Sequence, residues 1–366
     1  KKEIDFSVGR TSLPLVHRIV VKIGTHSLAS KLGRPNRQNL ERFVAQIAKL
    51  NKIGIEVVLV SSGAVGMGLD ALKIKTKPKT LAQMQMAAAV GQSRLMHTYQ
   101  ELFAKHKLLV AQVLLTQDDF HNRGRNLNAR ATIRGLLENG VVPIVNENDA
   151  VSVDEIQFGD NDYLAAHLAM LVDADLLILL TTVNGLQDRS GARAKRVGVI
   201  EDINDRIREC SSSDRGVLSS GGMKTKLEAA NLASSNGIAV VIADGRKKNS
   251  LCPIVEGEDI GSLVLPKKSS VKGARRQWLA YSRRPKGDVL IDDGAVRALI
   301  KGKKSLLAVG VIEVEGSFIA GDLIRVCSAN GEAIAKGLVN YSAEEVSRLR
   351  GCTTAEITKR IGPRQI

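Results

Sequence analysis

The sequence predicts an α/β protein built on a doubly wound, mainly parallel sheet, followed by a second, smaller β-rich domain. Three observations carry that expectation. From residue 18 to 243, apolar runs of strand length alternate with longer amphipathic stretches, the pattern of successive β-α units. After about residue 265 the alternation stops at a basic, Pro-containing segment, and short strand-like runs divided by Gly or Asn turns take over. The chain of 366 residues also has room for two cores, at roughly 100–200 residues per domain. Domains are placed accordingly at 15–265 and 275–366.

In the first domain, strands are expected over 18–23, 56–61, 108–115, 141–145, 176–181 and 238–243. Between them, 36–52, 81–105, 125–139, 162–171 and 224–235 have the periodicity of helices. In the second domain, strands are expected over 289–291, 306–311, 312–318, 322–327 and 333–341. A helix then spans 342–350, with Ser342 as its cap and Glu345 three residues on.

Composition and charge exclude several classes. No apolar run reaches the roughly 18 residues of a membrane span, because 171–183 is interrupted by Asp173 and Asp175. The first ten residues lack the apolar stretch of a signal peptide. Cys210, Cys252, Cys327 and Cys352 are scattered, with no C-x-x-C pair and no His at ligand spacing, so neither a disulfide framework nor a zinc site is indicated. A cytoplasmic location follows as the expectation. The formal charge of +15 gathers in 73–79, 247–248, 267–284 and 301–304, loop-like segments with few aromatics. One Trp, four Tyr and six Phe offer no base-stacking platform. Nucleic acid is therefore not expected as a partner, and the basic runs read as solvated surface.

Four segments carry the chemistry. Asn146-Glu147-Asn148-Asp149 follows an apolar strand and precedes Gly159-Asp160-Asn161-Asp162; paired carboxamide and carboxylate clusters suit an ammonium group or a cation, although the same residues also favour turns. Lys22 lies in a buried strand just before Gly24-Thr25, where an ammonium is costly unless it meets an anion. Ser61-Ser62-Gly63-Ala64-Val65-Gly66-Met67-Gly68 leads from the second strand into a small-residue segment whose free N–H groups suit an anion. Its glycines read G-x-x-G-x-G and do not form the dinucleotide fingerprint. Finally, Ser219-Ser220-Gly221-Gly222-Met223-Lys224-Thr225-Lys226 opens an amphipathic helix with a Gly- and Lys-rich turn. That is a phosphate cradle, although Met223 breaks the spacing of a P-loop.

Taken in order, Val21-Lys22-x-Gly24, Ser61-Ser62-Gly63-Ala64, Ala89-Val90-Gly91-Gln92, Asn146-Glu147-Asn148-Asp149, Gly159-Asp160-Asn161-Asp162 and Gly221-Gly222-Met223-x-Thr225-Lys226 resemble the glutamate 5-kinases of the amino acid kinase superfamily. The β-rich tail is similar to the PUA domain appended to many bacterial members. The resemblance implies transfer of the ATP γ-phosphoryl group to the side-chain carboxylate of L-glutamate, the first step of proline synthesis, with Mg²⁺ accompanying ATP. Carried over by position, Lys22 and Lys226 would meet the transferred and leaving phosphates, and Asp162 would hold the two lysines. Ser62, Asp149 and Asn161 would bind glutamate, with Asp149 on its ammonium group. Lys22, Thr181, Thr182, Ser220, Gly221, Gly222, Met223, Lys224, Thr225 and Lys226 would line the nucleotide site, and no protein metal ligand is implied. The resemblance also raises proline as a feedback inhibitor and a homo-oligomer, dimer or tetramer, and leaves both open.

One departure stands out. Where the family reads Thr-Asp and then Gly-Leu-Tyr, this chain has Thr181-Thr182 and Gly185-Leu186-Gln187, so a carboxylate and an aromatic ring are missing from the segment that meets the nucleotide. Phosphoryl transfer is still implied, while nucleotide affinity and base preference stay open. Two other readings remain: a superfamily kinase acting on N-acetylglutamate, aspartate, carbamate or a nucleoside monophosphate, and an RNA-binding or RNA-modifying protein with a PUA-like tail. A carboxylate at Asp149 favours an unblocked amine over an acetylated one.

Overall fold

Strands that are apolar along their whole length are stable only in a sheet covered on both faces, and the computed structural model shows such a sheet. It describes residues 4–24, 36–74, 80–151, 161–188, 194–204, 222–267, 285–300 and 306–352, with the single positions 76, 78, 207, 210 and 356. Two compact units separate: residues up to Asp119 together with Asn126–Val271, and Phe120–Arg125 together with Lys272–Ile366.

The large sheet comprises β1 (Arg18–Ile23), β2 (Glu56–Ser61), β3 (Val110–Leu115), β4 (Val142–Glu147) and β5 (Leu176–Thr181). The short ribbon β6 (Gln187–Asp188) and β7 (Lys195–Arg196) stands apart, and β8 (Val199–Ile200), β9 (Ala239–Asp244) and β10 (Ser262–Val264) complete the sheet. Its order is β3-β4-β2-β1-β5-β9-β10-β8. Neighbours from β3 to β9 run parallel, and β10 turns antiparallel to β9. From β1 the chain winds one way to β2 and on to the edge strand β3, comes back to fill the place between them as β4, and then crosses to the other side of β1 as β5. Such a reversal opens a crevice at the carboxyl ends of the central strands.

The helices are α1 (Arg37–Lys52), α2 (Ala64–Ala71), α3 (Leu81–Ala104), α4 (Gln117–His121), α5 (Arg123–Glu138), α6 (Asn161–Leu171), α7 (Met223–Ser234) and α8 (Cys252–Val255). The Asn36 side chain accepts from the Gln38 amide and Thr80 Oγ1 from the Gln83 amide, capping α1 and α3. Leu40, Phe43 and Ile47 of α1 and Leu95, Tyr99 and Phe103 of α3 join Ile19, Val21 and Ile23 of β1 in one buried core. α2 and α3 cross at two glycines. A Cβ on Gly91 would overlap the Ala64 carbonyl oxygen and sit 2.5 Å from the Gly68 amide nitrogen, and one on Gly68 would overlap the Ala87 carbonyl. Backbone against backbone at this crossing brings the face of α3 that carries Gln92 close to the end of β2.

The second unit holds a four-stranded sheet of order β12-β11-β13-β14, formed by β11 (Gly287–Ile291), β12 (Val311–Gly316), β13 (Leu323–Ser328) and β14 (Ala333–Leu338). Val289, Ile291, Val311, Phe318, Ile324, Val326 and Val346 form its own core. α9 (Asp293–Ile300) follows β11, and α10 (Ala343–Leu349) opens with the expected capping box of Ser342 and Glu345. The strand expected over 306–311 is absent: Ala308–Gly310 is a single 3₁₀ turn. Gly310 lies so close to Ala295 of α9 that a Cβ would collide with it, and its carbonyl accepts from the Asp292 amide at 3.0 Å. Packing on α9, a helix the sequence reading passed over at Asp292-Asp293-Gly294, replaces ladder pairing there.

Candidate active site

The carboxyl ends of β1, β2, β4 and β5 meet the N-termini of α6 and α7, and two polar clusters form where they converge. In the first, Lys22 near the end of β1 and Lys226 in the first turn of α7 close on one carboxylate. Lys22 Nζ lies 2.6 Å from Asp162 Oδ1, and Lys226 Nζ lies 2.8 Å from Asp162 Oδ2. The three side chains are almost sealed from solvent, at 4% exposure for Lys22, 5% for Lys226 and 0% for Asp162. Burial alone would raise the Asp162 carboxyl, but the two ammonium groups outweigh it and hold the carboxyl below the usual range. Two buried ammonium groups converging on one carboxylate are a setting in which an anion such as a phosphate can be accommodated.

The second cluster is built from amides. Asn146 Oδ1, at the end of β4, accepts from the Glu147 amide at 2.9 Å and from Asn161 Nδ2 at 3.2 Å. Asn161 Nδ2 also donates to Ser62 Oγ at 2.9 Å and to the Ser61 carbonyl at 3.3 Å. Asn146 Nδ2 donates in turn to Gln92 Oε1 at 2.9 Å. Beneath this network Ser61 Oγ shares a 2.8 Å hydrogen bond with the hydroxyl of Tyr99, which is fully buried. Just beyond β4, burial and then the neighbouring Glu147 push the Asp149 carboxyl up to about 6. A carboxylate in that position favours a cation that would relieve both effects.

The structure thus gathers Lys22, Lys226 and Asp162 into one cluster and Ser62 and Asn161 into the other, with Asp149 just past the end of β4. Asn161 and Asp162 are consecutive residues at the start of α6, so the two clusters share an anchor. Gly222 precedes α7 without a side-chain cap, Met223 is buried, and Thr225 Oγ1 turns back to donate to the Gly222 carbonyl at 2.9 Å. Lys224 is exposed and does not join Lys226. Thr181 and Thr182 lie half-buried at the end of β5, where the Thr181 carbonyl accepts from the Gly245 amide at 2.9 Å. Ser220 and Gly221, like Thr25, Gly159 and Asp160, lie outside the described residues. Sequence reasoning quoted Gln92 in a motif but gave it no role. A signal existed: Gln92 shares the buried α3 stripe of Leu95, Met96 and Tyr99, at spacings of three, four and seven residues, and an amide on an apolar stripe needs a polar partner.

Comparison with known proteins agrees with this geometry. Residues 17–244 match the amino acid kinase family and residues 287–361 the PUA domain. The chain is 45% identical over 348 residues to "Glutamate 5-kinase" of Thermoanaerobacter sp. (strain X514), covering 94% of this chain and 93% of the relative. It is 44% identical over 356 residues to the protein of the same name from Moorella thermoacetica, covering 96% and 94%. With that of Geobacter sulfurreducens it shares 42% identity over 353 residues, covering 96% and 94%. The buried lysine pair at a sheet switch point, the family match from β1 through β9 and these near full-length relatives lead to one assignment: the chain belongs to the amino acid kinase family and carries a PUA domain.

Proposed function

We propose that the chain is a glutamate 5-kinase, transferring the γ-phosphoryl group of ATP to the side-chain carboxylate of L-glutamate. The observation that carries this reading is the sealed Lys22–Asp162–Lys226 cluster, in a chain over 40% identical to glutamate 5-kinases along nearly its full length. A glutamate side-chain oxygen attacks the γ-phosphorus while the bond from that phosphorus to the β,γ-bridging oxygen breaks, giving the acyl phosphate and ADP. The attacking carboxylate is ionised at neutral pH, so no general base is needed. Catalysis then rests on positioning and on neutralising the charge that spreads over the phosphoryl oxygens. Lys22 and Lys226 donate to those oxygens, and Asp162 fixes the direction of both ammonium groups.

On the acceptor side, Asp149 takes the substrate ammonium, while Ser62 and Asn161 orient the rest of the amino acid. An acetylated amine would leave Asp149 with no partner, so the reading favours the free amino acid. The N-terminal turn of α7, with Gly222, Met223, Lys224 and Thr225, borders the nucleotide phosphates together with Thr181 and Thr182. Among the described residues no group of three His, Cys, Asp or Glu side chains converges on one point. Oxygen donors from the nucleotide's own phosphates suit Mg²⁺, and Mg²⁺ supplies further charge neutralisation when bound. The same reading divides the chain into a kinase domain at 15–265 and a PUA-like domain at 275–366, places it in the cytoplasm, and keeps a homo-oligomer, dimer or tetramer, and proline as a candidate feedback inhibitor. Among the described residues no helix is long and apolar enough to cross a membrane.

ADP release with MgATP and glutamate, N-acetylglutamate or aspartate tests the assignment, with hydroxylamine trapping of the acyl phosphate as confirmation. Turnover of N-acetylglutamate without turnover of glutamate would overturn it.

A further inference from the structure

The hydrogen bonds of the second cluster fix more than its shape. A carboxamide can be turned either way, but two of its anchors here are backbone groups whose polarity cannot change. The Glu147 amide is a donor, so the atom it meets on Asn146 is the oxygen, and the other Asn146 atom must be the NH₂ that reaches Gln92. Gln92 therefore presents its oxygen to Asn146 and turns its own NH₂ away. The Ser61 carbonyl is an acceptor, so Asn161 presents its NH₂ toward Ser61, Ser62 and Asn146, and its oxygen is left over. The relay ends in one buried donor, Gln92 Nε2, and one buried acceptor, Asn161 Oδ1, neither with a hydrogen-bond partner among the described residues. Unpaired polar atoms cost enough that a pair of them, one of each sign on a single network, needs a reason.

We propose that Gln92 is a positioning residue for the acceptor amino acid: by accepting from Asn146 Nδ2, it holds the Asn146 side chain in the orientation the backbone anchors select, and so keeps the Asn161 oxygen and the Ser62 hydroxyl turned to the substrate. This rests on the acceptor site proposed above. Gln92 sits 91% out of solvent, on a helix pinned to α2 by Gly68 and Gly91, so its buried side chain reaches Asn146 from a rigidly placed backbone. Removing that acceptor strands Asn146 Nδ2, and the Asn146 side chain, then held only through its oxygen, can tilt toward another acceptor and away from Asn161. Glutamate must then reorder the relay as it binds. The lysine cluster is not touched by this change.

The test uses full-length Gln92→Met, which keeps the length and loses both amide atoms, and Gln92→Glu. A buried glutamic acid held neutral offers a carbonyl in place of Oε1 and an O–H in place of Nε2. At pH 6.5, Gln92→Met should raise the KM for glutamate at least about tenfold, the scale of one stranded buried amide. The KM for MgATP and the kcat should stay within about threefold, whereas Gln92→Glu should recover most of the glutamate KM. An unchanged glutamate KM in Gln92→Met would overturn the proposal. Equal rises in both Michaelis constants, with no recovery in Gln92→Glu, would also do so, since that pattern belongs to packing alone. If the methionine variant does not fold, Gln92→Asn, which draws the amide back by one methylene, carries the same expectation. Wild-type turnover of glutamate is measured alongside: its absence counts against the assigned activity, and the split between the two Michaelis constants is then read with whichever acceptor is turned over.

Discussion

Asp162→Asn isolates what the buried carboxylate does, because it keeps the shape and removes only the charge. Each ammonium sits at 2.6–2.8 Å from the carboxylate, a contact worth on the order of 6 kcal/mol at an effective dielectric constant of about 20. Desolvation of three charges offsets most of that sum. Breaking such a buried arrangement from one side costs about 3–5 kcal/mol, because it leaves uncompensated charge. In a domain of this size a loss on that scale lowers the melting midpoint by on the order of 10 °C. The variant has one route of relief, which is to release a proton from Lys22 or Lys226. Its kcat should therefore fall by about 10²–10³ and should fall further as pH rises through the neutral range, as the needed ammonium is lost. Wild-type kcat should show no such decline there, since its carboxyl is held below the usual range by the two ammonium groups and stays ionised beside them. Thermal unfolding and kcat measured from pH 6 to 9 decide the matter. A variant with the wild-type midpoint and a parallel pH profile would refute the reasoning.

Lys22→Ala and Lys226→Ala should each reduce kcat by about 10²–10³ with a smaller effect on the glutamate KM, while exposed Lys224→Ala stays near wild type; steady-state kinetics in which a buried lysine proves dispensable would sink its role. Asp149→Asn should raise the glutamate KM more than it lowers kcat, and the wild-type KM should climb as pH falls below about 6 while the variant's stays flat. The sign for stability is opposite: folded Asp149 keeps its proton up to about 6 against an ordinary value of 3.8, so its contribution falls as pH rises through that window. Denaturant unfolding at pH 8 should accordingly find Asp149→Asn more stable, by no more than ~3 kcal/mol. Gly91→Ala should destabilise by at least ~2 kcal/mol through its clash with Ala64 and Gly68, whereas Gly135→Ala, with nothing within 4 Å of the added carbon, should gain ~0.5–1 kcal/mol; equal melting midpoints for the two would contradict the crossing geometry.

The sheet was legible because its strands are mainly apolar runs of strand length: β1, β2 and β5 begin and end at the residues the sequence suggests. The start of α10 was legible because Ser342 announced it as a cap. The failures share a cause. α2 was read only as a small-residue segment because Gly66 and Gly68 weaken any local helix signal, and its reason for existing is the α3 backbone against which Gly68 packs. The 306–311 run reads as a strand by composition, and only contact with α9 explains why it turns instead. At the site, Lys22, Asp162 and Lys226 could each be flagged singly, but their convergence joins residues 140 and 64 positions apart along the chain. Gln92 was harder still. In a helix a glutamine reads as solvated surface until its stripe is seen to be buried.

The shared anchor at the start of α6 has a consequence of its own. Consecutive helical residues point about 100° apart around the axis, so Asn161 and Asp162 serve different faces of one rigid element: in the proposed roles, the amides that orient the acceptor and the lysines that meet the phosphoryl group. A displacement of α6 would therefore move both halves together, keeping the attacking oxygen and the phosphorus in register where separate loops would not. That register matters because the reaction offers no proton transfer for the protein to assist, and positioning supplies most of what it can contribute. It also divides the two kinds of damage. Changes that act on Asn161 alone, such as those at Gln92, should weaken acceptor binding and spare the chemical step, whereas changes that tilt α6 itself should lower kcat and raise the acceptor KM together.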